Sequence, residues 1–88
     1  MTEEKTNRAK MNLLRPLDDT AFIELNGNQL KTLLCLNEGV PLSECGLSYN
    51  TYKQSYIYLY EKGWVGMPWK QYLLWIKMVK LEEEDENT

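Results

Sequence analysis

Apolar residues recur with a helical period in the centre of the chain. Leu30, Leu33 and Leu34 lie on one stripe, and Asn28 ahead of them is the predicted N-cap. Gly39 is the predicted end of this helix, because glycine readily adopts the left-handed conformation that terminates helices. The pattern therefore predicts a helix of about ten residues before Gly39.

A second helical pattern follows Ser48, which is a favourable N-cap residue. Its apolar positions are 52, 55, 56 and 59, and Gly63 ends it, so the sequence predicts a helix over residues 49–62. A short helix is predicted between the two, over residues 42–45, because Pro41 suits a first turn and Gly46 stops it.

Three segments have the composition of strands. Residues 21–25 are β-prone and partly alternating, and Asn26-Gly27 breaks them from the first helix. Residues 64–65 begin a second strand before a turn at residues 66–68. Residues 70–80 fit a period of two and a period of 3.6 alike, and their aromatic and β-branched content favours a strand over a helix.

The length and composition of the chain exclude several classes of protein. The chain has 88 residues, of which 43% are hydrophobic, so we expect one small folded domain. It has no apolar run of about 20 residues and no apolar leader after Met1, which predicts a cytoplasmic protein with no membrane partner. Histidine is absent, and no glycine-rich phosphate loop is present. We therefore expect no enzyme, no cofactor and no small-molecule ligand.

The two cysteines, Cys35 and Cys45, cannot form a Cys/His zinc site in a chain without histidine, and four thiolates are not available. No metal is therefore expected. Two interpretations of the pair stay open. They are buried thiols, the usual state of free cysteine in a cytosolic protein, or they form a disulfide or redox switch.

The chain has a formal net charge of −3, and its charged residues are distributed unevenly along the sequence. Residues 1–15 hold four basic and two acidic residues, residues 16–80 are balanced, and residues 81–88 hold five acidic residues and no basic one. We predict a flexible basic arm over residues 1–20, a folded domain over residues 21–80, and a disordered acidic tail over residues 81–88. The tail also has a second interpretation, as an interaction segment.

Residues 46–65 carry the most specific motif, GLSYNTYKQSYIYLYEKGWV. This segment resembles the winged helix-turn-helix pattern of small bacterial, plasmid and phage regulators and of replication-initiator domains. The resemblance is tight here and loose over residues 21–76. It implies an α+β, mainly α fold, in which three helices carry a small antiparallel β wing.

The resemblance implies sequence-specific binding of double-stranded DNA in transcription, replication or DNA transfer. Asn and Gln side chains pair bidentately with adenine, and Lys reaches guanine or phosphate. The implied base readers are Tyr49, Asn50, Lys53 and Gln54. The implied phosphate contacts are Ser48 and Thr51.

Only Lys53 is basic on that helix face, so DNA binding would need further cations. The candidates are the arm residues Lys5, Arg8, Lys10 and Arg15, the wing residue Lys70, and a second subunit of a homodimer. Three aromatic residues are candidates for the dimer interface or else are partly buried: Tyr58, Tyr60 and Trp75.

A second hypothesis makes the chain a protein-interaction module on the same fold, which engages a host or partner protein. It rests on the scarcity of basic residues and on Ile57, Tyr58 and Tyr60, which are expected to be exposed.

Overall fold

The described part of the chain forms five helices. A computed structural model describes the backbone of residues 10–87 and the side chains of residues 10–79. In chain order the helices are α1 (Asp19–Glu24), α2 (Gly27–Glu38), α3 (Leu42–Cys45), α4 (Tyr49–Glu61) and α5 (Trp69–Asn87). No strand occurs within residues 10–87. The predicted α+β winged fold is therefore wrong, and only its mainly α part agrees with the structure.

Local hydrogen bonds and one glycine set the ends of α2. The Asn26 side chain accepts a hydrogen bond from the Gln29 N–H at 2.8 Å, and the Gln29 side chain accepts one from the Asn26 N–H at 3.1 Å. This reciprocal pair makes Asn26 the N-cap, rather than the predicted Asn28. Gly39 ends α2 in the left-handed conformation with φ of 79°, as predicted.

A three-residue turn, residues 46–48, joins α3 to α4. Gly46 takes φ of 86°, which side chains other than glycine adopt with difficulty. The Ser48 Oγ accepts a hydrogen bond from the Thr51 N–H at 3.2 Å and so caps α4. The predicted bounds of α3, the predicted cap of α4 and its end near Lys62 are confirmed.

The core lies between α2 and α4. The predicted inward face of α4 is confirmed, because its buried residues are Tyr52, Ser55, Tyr56 and Leu59. The buried residues of α2 are Thr32, Leu33, Cys35 and Leu36. Burial of a leucine side chain of this kind contributes about 1.5–3 kcal/mol, so this contact is the main apolar support of α4.

The strand predicted over residues 21–25 is wrong. These residues form most of α1 and its C-cap, and Asp18 caps the helix by accepting a hydrogen bond from the Thr20 N–H at 3.0 Å. Ala21 and Leu25 are buried, whereas Phe22 and Ile23 between them are exposed. The buried positions are thus four residues apart, which is a helical spacing and not the period of two that a strand requires.

The strands predicted over residues 64–65 and 70–80 are also wrong. Residues 64–65 have no regular structure, and residues 70–80 lie inside α5. Trp69 and Tyr72 turn their rings toward α4, where Tyr72 stacks on Tyr56 with ring centroids 4.7 Å apart. The aromatic content that favoured a strand therefore serves to dock a helix.

The backbone of α5 stays helical through residues 81–87, the segment predicted to be a disordered tail. At 19 residues α5 is the longest of the described helices. No helix in the described part of the chain combines the length and the apolar character needed to cross a bilayer.

The segment ahead of α1 packs on the helices. The Met11 N–H donates to the Leu36 carbonyl at 2.9 Å, and the Leu14 N–H donates to the Trp64 carbonyl at 2.9 Å. Met11 is also buried. Residues 11–14 of the predicted flexible arm are therefore hydrogen-bonded to the helical core, and residues 1–9 of that arm lie outside the described residues.

We predict that the hydroxyls of Tyr52 and Tyr72 stabilise the fold only as a pair. Their oxygens lie 3.0 Å apart in the core. Tyr52→Phe leaves the buried Tyr72 hydroxyl without its hydrogen-bond partner. This substitution should lower the free energy of unfolding by about 1–3 kcal/mol. The double variant Tyr52→Phe/Tyr72→Phe removes both hydroxyls and should recover most of that loss, as measured by urea unfolding.

The matched control is Tyr60→Phe, because the Tyr60 side chain is exposed. It should change the free energy of unfolding by less than about 0.5 kcal/mol. If the two core substitutions simply add in the double variant, the paired role is contradicted.

Candidate nucleic-acid interface

The outer face of the first two turns of α4 is polar. Asn50 and Gln54 are exposed and lie one turn apart, and Lys53 beside them is half buried. Six residues predicted as DNA contacts thus lie together at the start of one helix: Ser48, Tyr49, Asn50, Thr51, Lys53 and Gln54.

The start of α4 presents hydrogen-bond donors. The Ser48 hydroxyl donates to the Thr51 Oγ1 at 2.9 Å, so the Thr51 hydroxyl keeps its own proton to donate outward. The Tyr52 N–H makes the first intrahelical bond, to the Ser48 carbonyl at 2.9 Å. The N–H groups of Tyr49 and Asn50 precede that bond, and together with the helix dipole they favour an anion here.

A groove of about 330 Å³ runs between the start of α2 and the start of α4. Its lining residues are polar and uncharged: Asn26, Asn28, Gln29, Asn50, Thr51, Gln54 and Ser55. Two helix N-termini therefore border one surface that carries amide groups and no carboxylate. The local sequence predicts a turn at Asn26 and a cap at Asn28. Their place beside Asn50 has no local signal, because that proximity depends on how α2 packs on α4.

Lys31 of α2 reaches the turn between α3 and α4. Its Nζ lies 2.9 Å from the position that a Cβ on Gly46 would occupy. Glycine at position 46 therefore makes room for an ammonium group just before the start of α4. Lys31 is not among the predicted site residues, because its contact with Gly46 joins segments distant in the chain and has no local signal.

The predicted site residue Lys70 lies on a helix and not on a wing. Trp69 contacts the ring of Tyr49 edge-on, with centroids 5.9 Å apart, so the first turn of α5 lies beside the first turn of α4. Lys70 follows Trp69 and is exposed. Tyr49 remains 51% exposed, although part of its ring is used in this contact.

The arm cations differ in their surroundings. The guanidinium of Arg15 lies 3.8 Å from the centroid of the Trp64 ring and 3.3 Å from a Glu24 carboxylate oxygen. These contacts hold Arg15 within the fold. Lys10 is exposed and lines a different groove, with Met11, Met67 and Trp75 among its neighbours. Lys5 and Arg8 lie outside the described residues, and neither of the two arm cations that the structure describes, Lys10 and Arg15, lines the polar groove.

The three aromatic residues predicted as candidates for a dimer interface differ in their exposure. Tyr58 and Trp75 are half buried and pack against the core, whereas Tyr60 is exposed. Ile57 is half buried as well. This part of the surface is therefore less open than the sequence predicts.

Cys35 and Cys45 are free, buried thiols, with their sulfur atoms 3.1 Å apart. Burial, together with the adjacent Cys45, raises the pKa of the Cys35 thiol to about 12. The two cysteines are thus buried thiols in this structure, as the first of the two interpretations has it.

No protein-family model, no curated protein and no solved structure matches this chain. The resemblance of residues 46–65 to winged helix-turn-helix domains thus has no support from a relative. The geometry of the polar face and groove carries the functional argument instead.

We predict that Ser48→Ala lowers the free energy of unfolding by about 1 kcal/mol, because the Thr51 N–H loses its capping acceptor. Ser48→Asp should keep most of the stability, since a carboxylate caps equally well and suits the positive helix end. Thermal unfolding followed by circular dichroism measures both changes.

Ser43→Ala is the matched control, because Ser43 is exposed within α3. Equal destabilisation by Ser43→Ala and Ser48→Ala would refute the capping role of Ser48.

Proposed function

We propose that this protein binds double-stranded DNA, with the first two turns of α4 against the base edges of the major groove. The observation that carries the proposal is the exposed pair Asn50 and Gln54, which immediately follows a capped helix start and a three-residue turn. A short helix, a turn with glycine and a second helix is also the order found in helix-turn-helix DNA readers.

The polar face offers the chemistry of base recognition. Asn and Gln side chains each have a donor and an acceptor that match the adenine N7 and N6 edge. Asn50 and Gln54 are four residues apart, so they are separated by about 6 Å along α4. Both amides can therefore face the same nucleic-acid surface at once.

Phosphate contacts would come from the groups around this face. The N–H groups of Tyr49 and Asn50 and the Thr51 hydroxyl donate without carrying charge. Lys31 and Lys53 supply the positive charge near the start of α4. Two cations predict a slope of log K against log salt of about −2 per chain, which is shallow for a DNA-binding protein.

We predict that Asn50→Ala and Gln54→Ala each weaken binding to a selected DNA site by about 5- to 150-fold, since each removes a bidentate base contact. Fluorescence anisotropy at low salt, with a DNA site obtained by unbiased selection, measures the affinity. Lys31→Ala should weaken selected and random DNA alike and should reduce the salt slope by about 1.

Gln71→Ala is the matched control, because Gln71 is an exposed amide on α5 rather than α4. It should leave the affinity unchanged. No binding to any DNA at low salt, or equal binding by the wild type and the Asn50 and Gln54 variants, would reject the proposed interface.

A second candidate function is recognition of a partner protein. One specific observation favours it: Phe22 and Ile23 are adjacent in α1 and are 60% and 82% exposed. Large apolar side chains at a surface mark interaction sites when they occur together. Stoichiometric capture of one protein, lost in Phe22→Ser/Ile23→Ser and unaccompanied by DNA affinity, would favour this function over the first.

A further inference from the structure

The outer side of α5 carries an apolar stripe. Leu74 and Met78 lie one turn apart and are 57% and 60% exposed. Helical register places Lys70 before them on the same stripe, and positions 81 and 85, Leu and Asp in the sequence, after them. The opposite side of α5 is occupied, because Tyr72 and Val79 are buried.

The charges of α5 run against its own helix dipole. Lys70 lies in the first turn, whereas the acidic positions 82–86 lie at the C-terminal end, where the dipole is negative. No acidic residue lies in the first turn and no basic residue in the last. Acidic residues three or four positions apart repel one another as well. A neighbour that places positive charge beside the C-terminal half would relieve both effects.

We propose that a second copy of this chain docks antiparallel on α5 and forms a two-fold symmetric dimer. An antiparallel copy sets its basic half beside the acidic half of the first and opposes the two helix dipoles. A parallel copy would set the two acidic ends side by side. The charge distribution therefore selects the antiparallel arrangement.

One antiparallel register pairs the apolar and the charged positions of the stripe with matching positions on the second copy. With the two-fold axis between positions 77 and 78, Leu74 is level with Leu81 of the second copy, and Lys70 is level with Asp85 of the second copy. Met78 lies beside the axis, level with Lys77 of the second copy, whose exposed side chain flanks the stripe. The apolar positions 74 and 81 follow on either side, and opposite charges lie at both ends. This register assigns Lys70 to the dimer rather than to DNA.

Sedimentation equilibrium of the full chain, without DNA, tests the dimer. The expected mass at high concentration is twice the 10.4 kDa of one chain. Leu74→Glu/Met78→Glu should raise the dissociation constant by at least about tenfold, because it removes both exposed apolar side chains of the stripe and adds negative charge at position 74, opposite the acidic half of the second copy. Leu14→Glu, at an exposed apolar site ahead of α1, is the matched control and should leave the dissociation constant unchanged.

Charge reversal tests the antiparallel register. Lys70→Glu and Asp85→Lys should each raise the dissociation constant about three- to tenfold, and the double reversal should restore it. The two positions are about 22 Å apart along one helix, so the rescue has to come from the second copy.

A chain that stays monomeric at all concentrations overturns the proposal. A dimer that persists in Leu74→Glu/Met78→Glu, or a double reversal that fails to rescue, also overturns it. DNA affinity enters none of these measurements, so the dimer and the proposed DNA binding can fail separately.

Discussion

The pairing of two tyrosine hydroxyls in the core is the constraint on which the arrangement of the helices depends. Tyr52 of α4 and Tyr72 of α5 are both buried, and a buried hydroxyl without a partner is costly. Burial is the main cause that raises the pKa of each tyrosine, so both stay protonated and the 3.0 Å contact is a neutral hydrogen bond. Stacking of Tyr56 on Tyr72 reinforces it. Together these contacts fix one side of α5 against α4.

Together with the packing of α2 on α4, this docking determines which surfaces remain open. The inner side of α4 is used by the core, which leaves Asn50 and Gln54 outside, next to the amides at the start of α2. The inner side of α5 is used by the aromatic rings, which leaves Leu74 and Met78 outside. The two proposals thus rest on opposite consequences of the same packing: a polar face on α4, and an apolar stripe on α5.

Scarcity of positive charge shapes any binding of DNA. Arg15 is held by Trp64 and Glu24, so it adds structure rather than a free cation. The ends of α2 and α4 partly replace missing lysines, because their N–H groups and dipoles favour anions without a formal charge. A second subunit would bring a second α4 start with its own Lys31 and Lys53, and so would double the cations that one assembly offers to DNA.

Local sequence was enough to predict the features that depend on residues close together in the chain. Gly39, Gly46 and Ser48 set helix ends through their own backbone preferences, and the apolar period placed the inward face of α4 correctly. Only the tertiary structure decided that residues 70–80 are helical, because their pattern fits two periods equally well and the rings of α4 select one. It also decided which side chains stand beside the polar face of α4. The packing of α2 on α4 brings Lys31 next to Gly46 and Asn26 near Asn50. These segments are distant in the chain, so no local pattern encodes their contact.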